Sequence, residues 1–72
     1  MIKEVRQHVA ARPFEPFYIL TSGANRYLVT KAEHAGIDPQ SSRVVIWFDF
    51  AGSVTLAGLR IVALEKETAP KQ

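Results

Sequence analysis

Between Ile2 and Ala11 the apolar residues recur at helical spacing: Ile2, Val5 and Val9, with Ala10 and His8 beside them, lie on one side, and Lys3, Glu4, Arg6 and Gln7 on the other. This predicts a short amphipathic helix. It must stop near Ala11 or Arg12, because the residue before Pro13 is held out of the α region and Pro16 prevents the helix from resuming. Three turns do not persist alone in water, so the apolar stripe has to dock on something else. Pro13-Phe14-Glu15-Pro16 reads as a stiff, extended connector, with Phe14 and Phe17 as anchors on either side of Pro16.

The period then changes from helical to two. Phe17-Tyr18-Ile19-Leu20-Thr21 and Arg26-Tyr27-Leu28-Val29-Thr30 are aromatic and β-branched runs separated by the turn residues Ser22 to Asn25, which predicts a hairpin. Lys31 to Asp38 is read as a bend with a short continuation strand over Ala35-Gly36-Ile37, and Asp38 to Ser42 as a turn. Arg43 to Phe50 and Val54-Thr55-Leu56 form a second hairpin around Ala51-Gly52-Ser53. Gly58 interrupts the pattern, and Ile61 to Glu65 is the final strand.

The strand from Arg43 to Phe50 is the informative one. At period two, Val44, Ile46, Phe48 and Phe50 point one way and Val45, Trp47 and Asp49 the other, so most of its length is apolar on both faces. A strand with one face in water alternates instead. One face fills the core, and the other must be covered by the N-terminal helix, a neighbouring subunit or a ligand. Val45, Trp47 and Phe50 are therefore the candidate interface residues.

Composition sharpens this need. A chain of 72 residues buries a modest fraction of its surface, and with no Cys there is neither a disulfide nor a thiolate metal site to reinforce it. Association is the remaining route to added stability. The N-terminal residues mix charges among apolar positions and contain no run long enough for a signal peptide or membrane span, so the expected location is cytoplasmic, with no membrane partner. The net charge of +2 comes from dispersed basic residues interleaved with acidic ones, which argues for solvated surface charge rather than a polyanion track.

Residues in patterns that carry chemistry are few. His8 and His34 are on different elements, and Glu33 and Asp38 near His34 do not converge on it in an extended segment, so no metal site is expected. His8 reads as a boundary residue half covered by apolar contacts. Ser22, Ser41, Ser42 and Ser53 all fall in turns without an activating acid and base, and the four glycines are scattered, so neither catalytic residues nor a cofactor-binding loop is expected.

The run Ala11-Arg12-Pro13-Phe14-Glu15-Pro16-Phe17, with a closing strand that ends in Leu64-Glu65, resembles a group of small bacterial proteins without known activity, in which a short helix leads through an "RPF-x-PF" connector into a small β domain. A second likeness is to the Sm-like fold. The stretch Leu56-Ala57-Gly58-Leu59-Arg60-Ile61-Val62-Ala63-Leu64 is similar to that family's second motif, in which a glycine stands in the turn between the last two strands. Two departures matter: Ala57 occupies the place of the basic residue found in RNA-contacting members, and no Asp and Asn pair of the first motif stands around Ile37-Asp38. The resemblance implies a shared architecture without the RNA site, and fold likeness does not carry function.

Together these readings predict a single α+β, mainly β domain over residues 1–66, an N-terminal helix followed by a strongly bent five-stranded antiparallel sheet or small open barrel of SH3/Sm type, with a frayed tail over 67–72. The expected function is a non-catalytic protein-interaction module, a homo-oligomer that also meets another protein. The alternative is an Sm-like single-stranded RNA binder with Tyr18, Arg26, Tyr27, Arg43 and Arg60 as its contacts.

Overall fold

Helix α1 covers Ile2–Ala10, and Ala11 leaves the helix with extended backbone before the cis Arg12–Pro13 peptide. The structure is a computed structural model that describes residues 1–40 and 42–67. The apolar stripe of α1 enters the core through Ile2 and Val5, and Val9 packs at its margin. The connector is anchored as its sequence predicts: Phe17 is fully buried, Phe14 meets it edge-on with ring centroids 6.1 Å apart, and the half-buried His8 ring lies 4.7 Å from Phe17.

Six strands follow: β1 (Phe17–Thr21), β2 (Arg26–Val29), β3 (Ala35–Ile37), β4 (Arg43–Trp47), β5 (Ser53–Ala57) and β6 (Ile61–Lys66). They form two three-stranded antiparallel sheets, ordered β2-β1-β6 and β3-β4-β5. The inner faces contribute Phe17, Ile19, Val29 and Ile61 from the first sheet and Val44, Ile46 and Leu56 from the second, forming one core with Ile2 and Val5. Each such side chain removed from water contributes about 1.5–3 kcal/mol before entropy is counted.

The expected five-stranded bent sheet is corrected in one respect. The short continuation strand over Ala35–Ile37 is real, but a 3₁₀ turn at Ala32–His34 separates it from β2 and delivers it to the other sheet. The result is two sheets of three strands, which do not close into a barrel. The strand expected over Arg43–Phe50 is also shorter. It ends at Trp47, and the chain turns through Phe48 to Gly52, where the Phe48 N–H donates to the Gly52 carbonyl at 3.1 Å and Gly52 takes φ 91°. Phe48 and Phe50 therefore do not continue the core-facing row of Val44 and Ile46. The final strand reaches Lys66, and the Glu67 N–H donates to the Pro16 carbonyl; the rest of the segment expected to be a frayed tail, residues 68–72, lies outside the described residues, as does Ser41.

Gly58 opens a second 3₁₀ turn, Gly58–Arg60, between β5 and β6. Its backbone is pressed between the helix and β4: an added Cβ would lie 2.8 Å from Ile2 Cγ1 and 3.3 Å from the Ser42 carbonyl oxygen. Gly58→Ala must displace Ile2 from the core, and we expect a loss of about 1–3 kcal/mol in a urea titration. An unchanged midpoint would show that Ile2 is not held against Gly58.

Candidate interaction surface

The outer face of the β3-β4-β5 sheet is built by the register. Gly36, Val45 and Thr55 form one cross-strand row, flanked by Trp47 with Ser53 and by Arg43 with Ala57. Val45 is half-buried, and Trp47 keeps 47 % of its surface exposed. The indole leans over Gly36, where a Cβ would come within 3.2 Å of Cζ3, so the absence of a side chain there leaves room for the ring. The helix does not cover this face, because its apolar stripe is spent on the opposite side with Val44 and Ile46. Of the covers open to the sequence reading, the helix is thereby eliminated.

Phe50, the third candidate interface residue, is 99 % exposed in the β4–β5 turn and does not belong to the sheet face. It stands with Phe48 beside a shallow depression of about 260 Å³ that also takes in Arg26, Tyr27 and Thr30. A second apolar element is Leu59, 98 % exposed at the lip of a groove of about 650 Å³ between the start of α1 and the Gly58–Arg60 turn.

The five residues proposed for RNA do not assemble into one track. Arg26 lies over the Tyr18 ring at 4.3 Å and reaches Glu65 at 3.8 Å, so this pair is engaged on the outer face of the first sheet. Arg43 stands on the outer face of the second sheet. Tyr27 packs against the core, and with Arg60 it lines a cleft of about 380 Å³ between the β1–β2 turn and the β5 edge.

A polar cluster escaped the sequence reading. The Thr30 hydroxyl donates to Asp49 Oδ1 at 2.8 Å, and His34 Nδ1 lies 3.3 Å from Thr30 Oγ1 and 3.5 Å from Asp49 Oδ1. A nucleophilic relay places hydroxyl and carboxylate on opposite ring nitrogens. Here both meet Nδ1 and the hydroxyl proton is committed to the carboxylate, so the geometry fastens the β4–β5 turn to the Ala32–His34 turn and does not activate Thr30. The sequence places Glu33 and Asp38 near His34, whereas the true neighbour is Asp49, brought in by the hairpin. No group of three or more metal-ligating side chains occurs among the described residues.

Asp38 organises the β3–β4 turn. Its Oδ1 accepts from the Ser42 and Arg43 backbone N–H groups at 2.6 and 3.0 Å, and its Oδ2 from the Ser42 hydroxyl at 2.9 Å. The Arg43 N–H foremost, then the Ser42 donors and the Arg43 charge, hold the carboxyl below its ordinary value of 3.8 despite some loss of water. A depressed carboxyl stabilises the fold fully above its unfolded value and loses that contribution as pH falls through the folded one. Asp38→Asn should therefore be less stable than the parent at pH 7, with the gap closing below about pH 4. Urea midpoints across pH check this, and a gap that stays constant to pH 2 would contradict it.

No protein-family model matches this chain, and no significant match was found among curated proteins or solved structures. Among the described residues, no helix is long and apolar enough to cross a membrane.

Proposed function

We propose that this chain is a non-catalytic interaction module that self-associates through the outer face of the β3-β4-β5 sheet. The supporting observation is that Val45 and Trp47 lie on a sheet face that α1 leaves uncovered. The face carries one charged residue, Arg43, at its end, so a second copy laid across it meets apolar and small side chains rather than like charges. Three strands about 4.8 Å apart, two of five residues and one of three, give a face of roughly 200 Å², well under the ~800 Å² per partner of a standard interface. Even with Phe48 and Phe50 contributing from the adjoining turn, a weak complex is expected.

The chain order, helix, two strands, bend, three strands and a 3₁₀ turn before the last, suits an open barrel of Sm type in which β2 and β3 are the two halves of one bent strand. We take the setting to be cytoplasmic, where a cysteine-free domain needs no oxidative reinforcement. The RNA reading has less support, since its five residues are spread over three surfaces. Sedimentation velocity across micromolar concentrations tests self-association: the weight-average coefficient should rise with concentration, and one constant at the monomer value would contradict the proposal.

A further inference from the structure

The two sheets leave four strand edges, and three of them are guarded. β2 opens with Arg26, β3 is three residues long, and β6 ends in Glu65-Lys66. Charge and shortness are the ordinary means of blocking an edge. β5 has neither: Ser53-Val54-Thr55-Leu56-Ala57 carries no charge and no proline.

Its free hydrogen-bonding groups follow from the ladder. The Gly58 N–H donates to the Ser42 carbonyl and the Phe48 N–H to the Gly52 carbonyl, so these pairs are bonded ones at either end of the β4–β5 register. Bonded and non-bonded pairs alternate in an antiparallel ladder. The N–H and C=O groups of Leu56 and Val54 therefore face β4, while those of Ser53 and Thr55 and the N–H of Ala57 point away from it; the Ala57 carbonyl, at the cap of the Gly58–Arg60 turn, is taken up by that turn. Thr55 and Ala57 open into the 380 Å³ cleft, which has room for about two or three residues of added strand. Tyr27 and Asn25 form the opposite wall, and Arg60 is the one charged lining residue, with no ion-pair partner among the described residues.

We infer that the β5 edge and this cleft bind an extended acidic peptide by strand addition. The backbone of Thr55 and Ala57 supplies the hydrogen bonds, Tyr27 the apolar wall, and Arg60 the contact to a carboxylate. A peptide fits better than RNA because the binding wall is a backbone donor–acceptor row with a single cation beside it. This site adjoins the Val45–Trp47 face, with which it shares the Thr55 and Ala57 positions, but it rests on a different observation, the open backbone row along the β5 edge.

The test titrates the ¹⁵N-labelled full chain with the acetylated, amidated hexapeptide Val-Thr-Val-Thr-Glu-Glu, its Lys-Lys counterpart, an N-methylated version and hexauridylate. The acidic peptide should shift the Thr55 and Ala57 amides saturably and slow their exchange with solvent, and the N-methylated peptide should not bind. Arg60→Ala should weaken binding about tenfold. Thr55→Pro removes an outward N–H at an edge position that tolerates proline, and should abolish binding with the fold intact. The inference is overturned by any of four results: no saturable shift at millimolar peptide, equal affinity for the lysine peptide, hexauridylate binding in its place, or Thr55 and Ala57 amides already closed off by a second copy.

Discussion

Phe17→Ala should lower the unfolding temperature by more than about 12 °C. Phe17 is fully buried where the connector meets β1, with Phe14 edge-on to its ring and His8 tilted against it. Removing a buried phenylalanine costs about 3–5 kcal/mol, since the transfer free energy is lost and a cavity remains. At about 0.05–0.15 kcal/mol per residue, a chain of this length has roughly 4–11 kcal/mol in all. The variant should be near the limit of folding, with the His8 contact of α1 lost. Thermal unfolding followed by far-ultraviolet circular dichroism reads this directly, and a shift of only a few degrees would mean that Phe17 does not join helix to sheet.

Trp47→Thr should weaken self-association about 30-fold, the scale set by loss of an interface hot spot. Threonine keeps the β propensity of the position while removing most of its apolar surface. Within one copy the indole rests on Gly36 and remains half exposed, so the monomer should lose little stability. That separation of effects is diagnostic. Sedimentation of a folded Trp47→Thr chain that associates as tightly as the parent would show that the contact lies elsewhere.

Elements governed by local rules were legible in the sequence. The helix followed from the spacing of Ile2, Val5 and Val9, its end from Pro13, and the first hairpin from alternating runs around Ser22–Asn25. The first turn still hides a detail, since the residue with positive φ is Ala24, at 66°, and not Gly23. Period-two reading assigned Val44 and Ile46 correctly to the core and Val45 and Trp47 to the opposite face. It failed beyond Trp47, because Phe48, Asp49 and Phe50 continue the alternation although the chain has already turned, and hydropathy does not register the hydrogen bond that closes the turn.

The division into two sheets was illegible for a similar reason. Ala32-Glu33-His34 contains no glycine or proline to announce the 3₁₀ turn that redirects Ala35–Ile37. The cluster of Thr30, His34 and Asp49 needed that turn and the hairpin together, so no sequence spacing could have revealed it. The unguarded β5 edge was present in its composition, but its outward hydrogen-bonding groups required the register.

Trp47 is the chain's single tryptophan, so its emission reports one position. As concentration rises from about 1 µM to about 1 mM, the range of a weak complex, the account predicts a progressive blue shift as a second copy excludes water from the indole. Emission that stays at the wavelength of a half-solvated indole throughout that range would contradict it.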